Sequence, residues 1–345
     1  MNTLINETIG KRFGKVQERL SIKSAFYSPT TRALGALVIV FCLGLIFNAD
    51  GAFYKWNTHR DMLRAVSVYG ILACGMTIVI ISAGIDLAVG SILALAAVSF
   101  AIFSIHLGWP AYLAIPACIC IGALGGAVSG VLVAGFEIQP FIATLAMMVI
   151  ARGAAKWISG GQKISTAVQQ VDGSYAYVGV PKIFDLINSR VFGDQISVVT
   201  LVFVVCLIVS WLLLSKLRHG RYIFAVGGNE EASRLSGVPV AFTKILAYGM
   251  SGLFSGVAGI CQAVQELQGD PEAGISYELT AIAMVVIGGT TLRGGRGGIW
   301  LTFIGVLTVG YLEKILSINA VGEDKRLVLT GVIIVAAVLL QKTRR

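Results

Sequence analysis

The sequence predicts an all-α, polytopic membrane protein with about ten membrane segments, some of them broken or re-entrant. Of its 345 residues, 56% are hydrophobic and 13% are charged, and the mean hydropathy is +0.82. Ordinary soluble domains carry about twice that share of charged residues. The predicted organisation is a basic N-terminal segment at 1–32, followed by a single transmembrane domain at 33–345.

The N-terminal segment 1–32 alternates basic and apolar residues at helical spacing. Such a pattern is typical of an amphipathic helix that lies on an anionic lipid bilayer, and a disordered basic tail is the alternative. The apolar segments that follow mostly reach the length that a helix needs to cross about 30 Å of hydrocarbon. They cover 33–48, 65–83, 86–107, 110–134, 139–158, 196–214, 242–262, 279–289, 298–317 and 327–341.

Two places in this series depart from a simple membrane span. The segment 279–289 is clearly short and runs into a glycine-rich stretch at 288–298, and a second glycine-rich break lies at 83–86. Broken helices at membrane depth are tolerated only where protein or a water-filled cavity surrounds them. Both regions are therefore candidates for the lining of a transport path.

The net charge of +9 is best explained as a topology signal. Basic residues gather in a few loops and at both ends of the chain, which leaves no basic face for nucleic acid. With an even number of spans, the N-terminus, the C-terminus and the loop 215–244 are predicted to be cytoplasmic. The loops 159–195 and 263–278 then face outwards, and the second contains acidic residues but no lysine or arginine.

No catalytic or metal-binding pattern is found in the sequence. The six cysteines fall within or at the edge of apolar segments, the three histidines are isolated, and no metal site is predicted. A phosphate-binding G-x-x-x-x-G-K-[ST] motif is missing, so the chain is expected to hold no cofactor and to hydrolyse no ATP itself. An enzyme is accordingly disfavoured.

The stretch 216–244 is a polar island between two apolar segments, and it contains a short helix with both ends marked. Asn229 is a suitable N-cap, and Glu230 and Glu231 lie in the first turn, where the helix dipole favours negative charge. Gly237, followed by Pro239, stops the helix after about two turns. A connecting helix without further function is the alternative interpretation.

Separate predictions apply to the charged residues and the glycines inside the membrane segments. Asp86 is expected to cap the helix that begins at 87, with path lining or state-dependent pairing as alternatives. Arg152 and Lys156, one turn apart, are expected to extend towards the outer interface. Glycines spaced by four are expected to let helices approach closely. They are Gly122, Gly126 and Gly130 in one segment, and Gly252 and Gly256 in another.

Four stretches together resemble the membrane permeases of bacterial ABC sugar importers of the ribose, arabinose and galactofuranose kind. They are SAGIDLAVGSILAL at 82–95, IQPFIATLAMMVIARG at 138–153, AVGGNEEASRLSGVPV at 225–240 and AIAMVVIGGTTLRGGRGG at 281–298. The resemblance covers the chain from about residue 60 onwards. It implies a transport subunit of a bacterial inner-membrane importer.

The same resemblance gives the polar island a partner. Residues 231–237 are similar to the E-A-A-x-x-x-G loop of importer permeases, with Ser233 in place of the second alanine. In that family the loop docks into the ATP-binding subunit, which would place Glu231 and Arg234 as polar contacts, Ala232 as a small seating residue and Gly237 as the turn. Asn229 and Glu230 complete the predicted coupling site. ATP and Mg²⁺ would be bound by that subunit.

The resemblance implies further partners: a second copy of the permease or a paralogue, a periplasmic sugar-binding protein and a monosaccharide. Gln139, Phe141 and Thr144, together with Asp86, are the candidate path residues, because amides and aromatic faces suit a sugar. Simple helix packing is the alternative for all four. The alternative functions are an ion-gradient-driven secondary transporter, an enzyme acting on lipid-linked sugars and an ABC permease for branched-chain amino acids.

Overall fold

The computed structural model describes residues 28–169, 174–322, 324–326, 328–329 and 331–332, and these fold mainly into helices. The helices are α1 (Pro29–Ile46), α2 (Trp56–Ile81), α3 (Val89–Ala101), α4 (Ala111–Gly135), α5 (Pro140–Ile158), α6 (Lys182–Asn188), α7 (Val198–Ser215), α8 (Arg218–Gly228), α9 (Glu230–Leu235), α10 (Val240–Glu266), α11 (Tyr277–Gly288) and α12 (Ile299–Ile318). A π-helical segment at Ile102–His106 extends α3.

Eight helices among the described residues are long and apolar enough to cross a membrane, and α11 is a shorter apolar helix of 12 residues. This confirms the polytopic helical fold. Most of the predicted segment 327–341 and the N-terminal residues 1–27 lie outside the described residues.

The membrane helices alternate in direction, so their connections gather at two ends. The end that carries 82–88, 136–139, 216–239 and 289–298 is called the basic end here. At this end the amide of Gly295 donates to the carbonyl of Ile81 at 2.9 Å. At the opposite end the side chain of Asn319 donates to the carbonyl of Phe47 at 2.9 Å.

Glycines hold α4 and α10 together as an antiparallel pair, as their spacing predicts. A methyl group added to Gly126 would overlap the carbonyl oxygen of Tyr248, and one added to Gly252 would overlap that of Gly122. Such contact between backbones is possible only without side chains. The pair in turn packs against α2 and α3, and these helices form most of the buried core.

Both predicted breaks pack partly against protein. The short helix α11 buries Ala281, Ala283 and Met284, and the 82–88 connection buries Asp86, whereas Ala83 and Arg293 are exposed.

The helix α2 begins at Trp56, well before the predicted 65. Its first turns are polar, and they pair with the segment 159–197 of the opposite end: Arg60 with Asp194 at 3.3 Å, and Asp61 with Arg190 at 2.6 Å. That segment, predicted as a loop, contains α6 and two small antiparallel hairpins. The strands are β1 (Ala167–Gln169), β2 (Tyr175–Tyr177), β3 (Arg190–Val191) and β4 (Ile196–Ser197).

Candidate functional site

The helix α9 is closed at both ends by the residues that the sequence marks. Asn229 is extended (φ −161°), and its Oδ1 accepts from the amide of Ala232 at 2.9 Å. At the C-terminus Gly237 adopts φ 80°, its amide donates to Arg234 and the amide of Val238 donates to Ser233, each at 3.0 Å. These paired bonds satisfy the last carbonyls of the helix and define its length without help from other elements.

The side chains of α9 divide into an exposed set and an anchored set. Glu231, Arg234 and Leu235 are exposed, with Leu235 at 82%. Ser233, by contrast, is buried, and its hydroxyl donates to the carbonyl of Asn229 at 2.8 Å. Ala232 is exposed, so the small residue available to a docking partner is Ala232, whereas Ser233 faces its own chain.

An ion pair fastens α9 to the adjoining membrane helix. Nζ of Lys244, in the second turn of α10, lies 2.7 Å from Oε2 of Glu230, and the lysine side chain is only 17% exposed. Arg234 lies 3.5 Å from the other oxygen of the same carboxylate. Glu230 therefore holds the helix in place, a role that sequence reasoning did not assign to it.

Backbone contacts connect Gly227 and Gly228, the residues before α9 that are called its base here, to two membrane segments. Gly227, at the end of α8, approaches the carbonyl of Ile81 so closely that an added methyl group would overlap it. The carbonyl of Ile81 also accepts from the amide of Gly295 in the 289–298 loop. Gly227, shortly before α9, is thus in contact with the end of α2, which in turn is bonded to the loop before α12.

Asp86 lies at the centre of the 82–88 break and is fully buried. Its Oδ1 accepts from the amide of Ala88 at 3.0 Å within the connection, but the predicted capping role is wrong, because α3 begins at Val89 with Ala88 as its N-cap residue and without a side-chain cap. Its Oδ2 accepts from the hydroxyl of Ser251 on α10 at 2.7 Å. The carboxylate therefore joins the 82–88 connection to α10.

The remaining candidate path residues occupy different places. Thr144 is fully buried and donates to the carbonyl of Pro140 at 2.8 Å, whereas Phe141 is 55% exposed on the outside of the helix bundle. Gln139 is exposed and lines a groove of about 830 Å³ at the basic end, together with Glu230, Arg234 and Lys244. The hydroxyl of Thr144 also lies 3.4 Å from the carbonyl of Ile85, so the structure brings Thr144 to the break that contains Asp86, and path lining remains a prediction.

Arg152 and Lys156 extend to the opposite end, where both side chains bind residues of the 267–276 connection. The guanidinium of Arg152 donates to the carbonyls of Pro271 and Ala273 at 2.6 and 2.7 Å, and Lys156 pairs with Glu272 at 3.0 Å. Nearby, Asp270 accepts from Lys163 at 2.9 Å and raises the pKa of that lysine. These contacts tie α5 to the 267–276 connection.

Comparison with known proteins gives consistent matches along the chain. A family model described as a branched-chain amino acid transport system permease component matches residues 60–338. The chain is 38% identical over 309 residues to the ribose import permease of Haemophilus influenzae, covering 89% of this chain and 91% of the relative. No solved structure matches.

Two further relatives extend the comparison. The chain is 37% identical over 310 residues to the L-arabinose transport system permease of Escherichia coli, covering 90% of this chain and 89% of the relative. It is 34% identical over 321 residues to the fructose import permease of Rhizobium meliloti, covering 91% and 86%. The eight membrane-length helices and these matches define a multi-pass transport permease of the bacterial inner membrane. The chain belongs to the family of transport-system permease components that the matching model describes.

Proposed function

We propose that the chain is the permease subunit of an ATP-binding-cassette importer, and that it moves a pentose or hexose into the cytoplasm. The basic end faces the cytoplasm, and α9 with its flanks (Asn229–Gly237) is the coupling helix that docks into a separate ATPase. ATP and Mg²⁺ are bound by that partner. A second permease copy or paralogue completes the path, and a periplasmic binding protein delivers the sugar.

The main observation behind this proposal is the combination of an exposed tip and an anchored base in α9. Glu231, Arg234 and Leu235 are exposed to a partner, while Gly227 contacts the end of α2 through backbone alone. Nucleotide-driven movement of the ATPase can therefore bias the membrane helices between two packings. A helix placed in this way has no evident use in a carrier that works alone.

The sugar assignment is supported by the names of the relatives. Permeases named for ribose, L-arabinose and fructose are 34–38% identical to this chain over about nine tenths of its length. The description of the family model favours a second candidate, a permease for branched-chain amino acids. Uptake of labelled sugars and of labelled leucine by the same reconstituted complex separates the two.

Docking is tested by co-purification with the ATPase from the same transport system. We expect Glu231→Arg and Gly237→Trp to remove the ATPase from the purified permease, because the first reverses a charge on the exposed face and the second blocks the turn. Asp185→Arg, an equal charge reversal at the opposite end, is the control and leaves the complex intact. If the complex survives both changes at the basic end, α9 is not the coupling helix.

A further inference from the structure

A polar cleft of about 310 Å³ lies at the opposite end, between α2 and α10. It is lined by Asp61, Arg64 and Ala65 of α2 and by Gln262, Gln265 and Glu266 of α10. On each helix these residues are three or four apart and so share one face. The volume is at the lower end of the range of about 300–1,000 Å³ that is typical of small-molecule sites.

Contacts within its walls hold the polar residues of the cleft: Nε2 of Gln262 donates to Oε1 of Glu266 at 2.6 Å, and Nε2 of Gln265 donates to the carbonyl of Arg64 at 3.2 Å. Asp61 is fixed by Arg190, and the guanidinium of Arg64 donates to Oδ1 of Asn188. Among the described residues, Nε of Arg64 is buried without a hydrogen-bond partner. Such an orphaned donor is costly unless a ligand or water satisfies it.

Below the mouth of the cleft lies a pair of aromatic rings. Tyr69 and Tyr277 are 4.3 Å apart between ring centroids, and the hydroxyl of Tyr277 shares hydrogen bonds with Tyr69 and Gln262. Tyr69 lies one helical turn beyond Ala65 on the same face of α2. The polar groups thus continue from the mouth into the bundle, down to an aromatic surface.

We propose that this cleft is a transient binding site for the sugar on its way from the binding protein into the path. This inference rests on the proposed function and names the residues that meet the substrate first. Carboxylates, amides and a guanidinium can pair with neighbouring hydroxyl groups of a sugar, and tyrosine rings suit the apolar face of its ring. Charges of both signs suit a neutral, polyhydroxylated ligand.

The same lining suits the aliphatic side chain of a branched-chain amino acid poorly, although Asp61, Glu266 and Arg64 can pair with its ammonium and carboxylate groups. An aliphatic side chain is held by apolar groups, and Ala65 is the only apolar residue among those that line the described cleft. Burying the polar lining against such a side chain would leave hydrogen-bonding groups unpaired. The cleft therefore also bears on the choice between the two candidate substrates.

The test replaces the amides by a side chain of similar size that cannot form these hydrogen bonds. The permease is reconstituted with its ATPase in ATP-loaded liposomes, and binding protein saturated with labelled D-ribose, L-arabinose or D-fructose is added outside. Gln262→Met and Gln265→Met are expected to lower the sugar taken up per ATP hydrolysed by about tenfold, the effect of losing one or two hydrogen bonds. Gln162→Met, on the same side but outside the cleft lining, is the matched control and keeps the wild-type ratio.

The ratio of uptake to hydrolysis decides the outcome, because a loss of folded protein lowers both quantities together. If both cleft variants keep the wild-type ratio of sugar uptake to ATP hydrolysis, the cleft is not a sugar-binding site, and the proposed function still stands. A wild-type complex that takes up leucine, or none of the three sugars, overturns the proposed function and the cleft with it.

Discussion

At the scale of single residues, the buried carboxylate of Asp86 accepts two hydrogen bonds whose donors have to stay paired. It accepts from the amide of Ala88, in the connection before α3, and from the hydroxyl of Ser251 on α10. Asp86→Ala leaves both donors unpaired, and we expect it to lower the free energy of unfolding by about 1–3 kcal/mol. Asp86→Asn keeps an acceptor oxygen and is expected to cost less.

The measurement for Asp86 is thermal unfolding of the permease purified in detergent. Asp185→Ala, which removes an exposed carboxylate from the opposite end, is the control and should leave the midpoint nearly unchanged. An Asp86→Ala protein as stable as the wild type would mean that the carboxylate does not hold the 82–88 connection to α10.

Two adjacent glycines allow the contact at the base of α9 to be tested at single-residue precision. A methyl group at Gly227 overlaps the carbonyl of Ile81, whereas one at Gly228 meets nothing within 4 Å. We expect Gly227→Ala to separate α8 from α2, at a cost of about 1–3 kcal/mol, and to lower ATP-driven uptake at least as strongly. Gly228→Ala is the matched control, and equal uptake by the two variants would contradict the transmission route.

At the scale of elements, the exposed face of α9 is the part expected to meet the ATPase. Leu235 is 82% exposed and lies beside Arg234, so a docked partner would remove a large apolar side chain from water. We expect Leu235→Ala to weaken binding of the ATPase by about tenfold, equivalent to roughly 1.4 kcal/mol, without changing the stability of the permease. Titration of the ATPase into permease held in nanodiscs measures the change.

Leu217→Ala is the control for this element. Leu217 is also exposed at the basic end, at 49%, but it lies at the start of α8 and outside the proposed docking helix. Equal losses of affinity in the two variants would point to a general apolar contact and not to docking through α9.

How far the sequence predicted these elements depends on the range of the interactions involved. The ends of α9 were predicted correctly, because Asn229 and Gly237 act on amides only a few residues away. The start of α2 was wrong, because its polar first turns are stabilised by Arg190 and Asp194, more than a hundred residues later in the chain. Hydropathy alone cannot anticipate such pairs.

For the candidate site, too, local contacts could be predicted from the sequence and contacts between distant residues could not. A local contact of Asp86 could be anticipated from the glycine-flanked break, but the predicted helix cap was wrong, since the residue accepts from the amide of Ala88 and caps no helix. Its bond to Ser251, 165 residues away, could not be anticipated. The ion pair between Lys244 and Glu230 was not predicted, although both residues lie in the polar island. The chain turns back between α9 and α10, and this turn brings the two side chains together. Glycine spacing predicted close packing of α4 and α10 because backbone approach depends only on the missing side chains.

At the scale of the whole molecule, the arrangement separates a polar entry from a coupling surface. The cleft between α2 and α10 lies at one end, and the contact between Gly227 and Ile81 lies at the other end of the same α2. If the cleft receives the sugar and α9 docks the ATPase, this helix of 26 residues, about 39 Å long, connects the two places. The two ends can therefore respond to each other through α2.

This arrangement predicts that uptake follows ATP and not an ion gradient. In liposomes that contain the permease and its ATPase, sugar uptake should require internal ATP and persist when a protonophore abolishes the proton gradient. The physical reason is that the proposed driving force comes from the ATPase and reaches α2 through the contact between Gly227 and Ile81, so it is missing when the ATPase is absent. Permease alone, placed under a proton or sodium gradient, is the comparison that decides. Gradient-driven accumulation of sugar without ATPase would identify a secondary transporter and make the anchored base of α9 a structural support only.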